Sequence, residues 1–145
     1  MAKRGKREDV TVIPSIVVDT DVVSFIFKGD TRGVWYEPHL VGKVAIISFM
    51  TRAELNQWAL LSHWGRARRE RLAQYLRRFV VIHSDDHLCL QWAEVKAQAR
   101  RNGTPIETAD AWIAATALLH GIPLVTHNRS DYAGVEGLQI ISESG

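Results

Sequence analysis

Short β-branched runs alternate along this chain with longer stretches whose apolar residues recur at helical spacing. The run VTVIPSIVVD predicts a first strand ending near Val18, with Pro14 at its entrance, where no ladder hydrogen bond is lost. Thr20 or Asp19 then caps a helix reaching Phe27. The turn-rich KGDTRG leads to a short helical WYEPHL, and VAIIS reads as a second buried strand. Thr51 followed by Glu54 has the capping-box pattern for a helix over ELNQWALLSHW. Gly65 separates this helix from GRARRERLAQYLRRF, after which FVVIH is a third strand. Asp85 or Asp86 opens a long helix to about Arg101, closed by Asn102-Gly103, and TPIETADAWIAATALLHG forms another, closed by Gly121. IPLVT is a fourth strand, HNRSDYAGVEG a loop, and LQII a fifth strand at the sheet edge. Strands alternating with helices call for right-handed crossovers and a mainly parallel central sheet covered on both faces, an α/β fold in three α/β/α layers.

Composition narrows this to one domain. At 145 residues, 46% hydrophobic and 23% charged, the chain suffices for one substantial core and is short for two. No repeat, low-complexity tract or linker divides it; residues 1–12 form a basic tail and 13–145 the domain. Its apolar stretches stop well short of the roughly 20 residues of a membrane helix, and MAKRGKREDV runs into charge and proline, so the expectation is a cytoplasmic protein with no membrane attachment. Cys89, the sole cysteine, excludes an internal disulfide or cysteine metal cluster and reads as a small core residue.

A formal net charge of +2 does not identify a polyanion partner, but its distribution is uneven. Lys3, Arg4, Lys6 and Arg7 mark the tail; Arg66, Arg68, Arg69, Arg71, Arg77 and Arg78 crowd one predicted helix. Such clusters bind phosphate backbones through counterion release, or else form a solvated helix face that Glu70 partly offsets.

The acidic residues change the picture more. IVVDTDVV ends an apolar run with Asp19 and Asp21, and buried parallel strands present ligand-binding groups at their carboxyl ends. Glu54 falls in the first turn after the second strand, and Asp131 in the loop after the fourth. Asp110 interrupts a stripe of Ile106, Ile113, Ala114 and Ala117, so a carboxylate points inward, where an unpaired charge is costly. Each has a structural alternative: Asp19 as a cap, Glu54 as half of a capping box, Asp131 as a turn former, Asp110 bent outward. Convergence is the reading that covers all four. Two like charges at about 4 Å repel by about 4 kcal/mol at an effective dielectric near 20, so a converging set needs protons or a cation. Oxygen donors without a cysteine cluster or HExxH spacing favour Mg²⁺ or Mn²⁺.

The histidines supply no ligand, although His83 and His127 follow strands. The tryptophans, Trp35, Trp58, Trp64, Trp92 and Trp112, are assigned to packing, with stacking of one exposed indole on a base as the alternative.

In order, VVDTDVVSF, SFMTRAEL, ETADAWIAATALLHG and PLVTHNRSDY resemble the PIN-domain ribonucleases, in particular the VapC-type toxins of toxin–antitoxin pairs. The resemblance covers nearly all of the chain beyond the tail. It implies a PIN-like fold in which Asp19, Glu54, Asp110 and Asp131 are the catalytic, metal-site acids, Thr126 and Asn128 support the last loop, and Arg68, Arg69 and Arg71 hold RNA away from the cut bond. It further implies Mg²⁺-dependent or Mn²⁺-dependent hydrolysis of RNA to a 5′-phosphate and a 3′-hydroxyl, a VapB-type antitoxin partner and a homodimer. Asp21 stands where many relatives carry Asn or Ser, and Tyr132 where Phe is common; for Asp21 the roles of ligand, supporting acceptor and helix cap stay open.

Two rivals are distinct. In haloacid-dehalogenase-like phosphatases an Asp-x-Asp ends a strand; here Asp19 would be the nucleophile, Asp21 the acid/base and Ser48 the phosphate-binding hydroxyl, with Lys96 a poorly placed lysine. A nucleic-acid-binding module without catalysis explains the arginines but not the acids.

Overall fold

A computed structural model describes residues 12–144; the basic cluster at Lys3 to Arg7 lies outside them. Five strands form one sheet in the order β3-β2-β1-β4-β5, every pair parallel. They are β1 (Ser15–Val18), β2 (Val44–Ser48), β3 (Val80–Ile82), β4 (Leu124–Val125) and β5 (Ile140–Ile141). Six α-helices lie between them: α1 (Thr20–Phe27), α2 (Thr31–Leu40), α3 (Phe49–Leu61), α4 (Arg66–Leu76), α5 (Asp86–Arg101) and α6 (Thr108–His120).

Alternation along β1 creates the layers. Ile16 and Val18 join Ile47 and Val125 on one face, packed with Val22, Val23, Tyr36, Leu55 and Leu72 from α1 to α4. Val17 faces the other way with Ile46 and Leu124, against α5 and α6 through Leu88, Val95, Ile113 and Ala117. The chain thus steps outward from β1 to β2 and β3, then returns to lay β4 and β5 on the other side. Between β1 and β4 the strand order reverses, and α/β sheets bind ligands at the carboxyl edge of such a switch point.

Several local expectations are corrected. Val12 and Ile13 are exposed and precede the first strand. The short helix begins at Thr31, because Asp30 accepts from the Arg32 backbone N–H, so half of KGDTRG is helical. Gly33 on that helix is buried, and a Cβ there would meet Ile26 backbone at 2.9 Å; only glycine lets α1 and α2 approach this closely. Ser48, not Thr51, caps α3, accepting from Met50 N at 3.0 Å. Cys89 is exposed rather than a core residue, because it falls on the outer side of α5 while Leu88 turns inward.

Candidate active site

Asp19, one residue beyond β1, is 6% exposed. One carboxylate oxygen caps α1 by accepting from Thr20 N at 2.7 Å. The other accepts from Thr126 Oγ1 at 2.7 Å and the Tyr132 hydroxyl at 2.9 Å. Thr126 directly follows β4, so this contact bridges the switch point. The Tyr132 hydroxyl also lies 3.5 Å from Asp110 Oδ1, which brings the first turn of α6 to the same place.

Glu54 arrives from α3. Thr20 Oγ1 lies 2.7 Å from Glu54 Oε1 and 2.9 Å from Thr51 Oγ1. With a single proton, Thr20 donates to the carboxylate and accepts from Thr51. Thr51 is fully buried, so the residue expected to cap the helix instead helps to hold Glu54. Neither threonine was expected to do this; their polarity inside an apolar face was the available signal. Asp21 accepts from Val22 N at 2.7 Å, Asn128 Nδ2 at 2.9 Å and His127 N at 3.2 Å. Its observed place is therefore a brace between α1 and the loop after β4. Asn128 N in turn donates to Thr126 Oγ1 at 3.1 Å. Asp131 is exposed on a short 3-10 helix, Arg129–Tyr132, its N–H donating to Asn128 O at 3.0 Å.

The electrostatics record this gathering. Burial raises Asp19 above the usual carboxylate range, and Glu54 adds to the rise, opposed by the donors Thr126, Tyr132 and Thr20 N. Asp110 is pushed up to about 7, first by burial and then by the charges of Asp19, Asp131 and Glu54. Asp21 also rises to about 7 through burial and the charge of Asp19, despite the N–H donors of Val22 and His127. The Tyr132 hydroxyl is held protonated by burial and by Asp19 and Asp110, which keeps it a donor. Among the described residues, however, no three Asp, Glu, His or Cys side chains stand at chelating spacing. Asp19, Asp21 and Glu54 are each turned to protein donors instead, as repelling charges would be. The donor set still fits a hard divalent cation: it is all oxygen, and Asp19 and Asp110 hold protons more tightly, first through burial and then through the charges of neighbouring acids.

Tyr36 and His127 also went unrecognised in the sequence. The fully buried Tyr36 hydroxyl lies 2.7 Å from His127 Nδ1 and accepts from Glu143 N at 3.0 Å, tying α2 and the C-terminal segment to the residue beside Asn128. Trp35 is 47% exposed, contrary to a packing role, because it projects from the outer side of α2. Trp92 and Trp112 stack on each other with ring centroids 5.1 Å apart, as packing predicts.

The arginines lie elsewhere. Phe27, at the far end of α1 from Asp19, contacts Trp64 and Tyr75 at centroid distances of 5.7 and 5.6 Å, and Arg68 lies over the Trp64 ring at 4.0 Å. The amino-terminal part of α4, with Arg68, Arg69 and Arg71, is thereby separated from the acids by the length of α1, about 12 Å at 1.5 Å per residue.

Residues 16–136 match the PIN domain. The chain belongs to the PIN-domain family. Its PIN-domain relatives include the VapC ribonuclease Y4jK of Sinorhizobium fredii, 31% identical over 137 residues, covering 88% of this chain and 96% of that protein. Ribonuclease VapC4 of Mycobacterium tuberculosis is 31% identical over 98 residues, or 66% of this chain and 75% of the relative. Among solved PIN-type structures, VapBC2 from Rickettsia felis bound to a promoter DNA fragment superposes with a TM-score of 0.78 at 19% identity, covering 88% of this chain and 97% of that one. The three-layer fold is the PIN fold.

The phosphatase alternative is not favoured: Ser48 is fully buried as a cap, and Lys96 Nζ is held by Ile106 O at 2.7 Å.

Proposed function

We propose that this PIN-domain protein is an endoribonuclease, the VapC-type toxin of a toxin–antitoxin pair, working with Mg²⁺ or Mn²⁺. The observation that carries the reading is Asp110, a half-buried carboxylate in the first turn of a helix whose buried residues are mostly alanine, adjoining the hydroxyl that donates to Asp19. A non-catalytic RNA-binding module has no use for such a group.

Asp19, Glu54 and Asp110 would hold the cation, with Asp131 as the fourth acid at the rim. When bound, the cation would supply a water of lowered pKa and neutralise charge developing on the phosphate oxygens. The chain's own residues do the rest. Thr126 and Tyr132 fix Asp19; Thr20, backed by Thr51, fixes Glu54; Asp21 and Asn128 fasten the loop that carries Asp131. Arg68, Arg69 and Arg71 hold the RNA backbone at a distance from the cut bond. A VapB-type antitoxin is the protein partner and the toxin is a homodimer; Val34 and Trp35 on α2, Val41 just beyond it, and Leu60 and Leu61 on α3 are exposed apolar residues available to such interfaces. No helix among the described residues is long and apolar enough to cross a membrane, consistent with a cytoplasmic site of action.

The test is RNA cleavage by the purified chain with Mg²⁺, with Mn²⁺ and with EDTA, beside Asp110→Asn. Cleavage that needs a cation and is lost in the variant is expected. Equal cleavage in EDTA, or by Asp110→Asn, overturns the metal assignment.

A further inference from the structure

Behind the turn that carries Asp131 lies an open concavity of about 720 Å³, within the size range of small-molecule pockets. Asn128, Arg129, Tyr132, Ala133, Val135 and Ile140 are among its walls. Two of these residues also belong to the acidic cluster: Asn128 donates to Asp21 and Tyr132 to Asp19. The concavity and the acids therefore lie on either side of the same two residues. Val135 and Ile140 make part of the lining apolar. Arg129 is exposed and, among the described residues, enters no ion pair, although Asp131 is only two positions away. A free guanidinium beside an apolar wall, at the margin of a site that handles phosphodiesters, matches one ligand class: a nucleotide, phosphate to the cation and base to the apolar surface.

We propose that this concavity is a nucleotide subsite, which seats the residue of the RNA next to the scissile phosphate and contacts its phosphate through Arg129. The proposal deepens the ribonuclease reading and rests on it for the identity of the chain that enters. Arg129 is here a substrate-positioning residue. The base would lie against Val135 and Ile140, giving the enzyme a preference at one position beside the cut that the acids cannot supply.

Three variants test this. Arg129→Ala removes the cation, Arg129→Lys restores charge without the planar fork, and Ala133→Phe fills the concavity from an exposed position in its wall. The substrate is a fluorescein-labelled oligoribonucleotide spanning a cut mapped in total RNA, with versions made abasic at either flanking nucleotide. Arg129→Ala and Ala133→Phe should each raise KM about tenfold, the factor lost with one charge-assisted contact or its packing equivalent, and leave kcat near wild type. Arg129→Lys should recover part of the loss. One abasic substrate should weaken wild type but cost Ala133→Phe nothing further. Unchanged KM in both variants overturns the subsite, and so do variants that cut RNA normally but escape antitoxin inhibition, which would give the concavity to the protein partner. Fluorescence anisotropy of the same RNA separates the two readings. If wild type cuts nothing with either cation, a fluorescein-labelled oligoribonucleotide of mixed sequence is the probe, and variants that weaken its binding mean that the ribonuclease reading falls while the concavity stands as a nucleotide-binding site. If neither cleavage nor binding responds, both fall.

Discussion

Asp19 performs two tasks, and a single substitution separates them. Its Oδ1 caps α1, which an asparagine can also do, while its charge is tolerated beside Glu54 and Asp110 at an electrostatic cost. The Thr126 and Tyr132 hydroxyls, which donate to its other oxygen, can turn to accept from an asparagine amide, so Asp19→Asn should melt at or above wild type in EDTA. The Mg²⁺ stabilisation, about 2.7 kcal/mol for an intact site at a hundred times its dissociation constant, should disappear along with RNA cleavage. Lower melting in EDTA with a full Mg²⁺ shift would make Asp19 a structural cap alone. Asp110 gives a pH prediction. Its folded value, about 7, lies above the ordinary carboxylate range, so between the two the native state binds more protons than the unfolded one. That contribution stabilises at low pH and is lost as pH rises through about 7. In EDTA, the Tm of Asp110→Asn minus that of wild type should grow from about pH 4 to about pH 7 and then level off. A difference that stays constant with pH would mean Asp110 is solvated. The stripe that made Asp110 legible in the sequence was a helical repeat; the hydroxyl next to it, from a residue 22 positions later, was not.

At the scale of elements, the start of α1, the second turn of α3 and the first turn of α6 place the acids; Asp19 caps α1 as a local reading allows, while the cap of α3 departs from it. The Thr51 and Glu54 pattern satisfies the capping-box spacing, yet Ser48 at the end of β2 takes the cap because the strand delivers it to the helix axis one turn earlier. Thr51 then falls inside the first turn, facing Thr20. Ser48→Ala should cost about 1 kcal/mol of stability in denaturant melts. Thr51→Val, nearly isosteric, should fold but deprive Thr20 of its donor and loosen Glu54, lowering cleavage more than stability. Equal losses of both in Thr51→Val would return Thr51 to a purely structural role. Gly33 is an element-scale contact as well. Its close approach to Ile26 sets how α2 lies on α1, and Gly33→Ala should destabilise by about 1–3 kcal/mol through overpacking. Wild-type stability in that variant would show that the two helices can part at no cost.

On the whole molecule, the arginine-rich helix α4 and the acids lie at opposite ends of α1. The contacts of Phe27 with Trp64 and Tyr75 bring the arginine-rich helix to the end of α1 opposite Asp19, which suits a role in holding RNA rather than cutting it. Neutralising Arg68, Arg69 and Arg71 should reduce the dependence of log affinity on log salt by about 0.7–0.9 per lost phosphate contact, with little change in cleavage at saturating enzyme. Filter binding across a salt series measures this. An unchanged slope would assign the helix to the dimer or the antitoxin.

Periodicity along the chain was sufficient for the alternation of strands and helices, the parallel sheet and the inward turn of Asp110, because each depends on side chains a few residues apart. The exposure of Cys89 and Trp35 depends on which side of a helix meets the sheet, and local pattern did not decide it; the starts of α2 and α3 rest on local caps, Asp30 and Ser48, that compete with other capping patterns nearby. The bonds of Asp19 to Thr126 and Tyr132, of Asp21 to Asn128 and of Thr20 to Glu54 join residues from strand ends and helix starts that only the reversal of strand order between β1 and β4, and the crossover from β1 to β2, bring side by side. Tertiary structure decided these pairings, since a hydrogen bond forms only between groups about 3 Å apart, and no local pattern specifies a distance across a sheet.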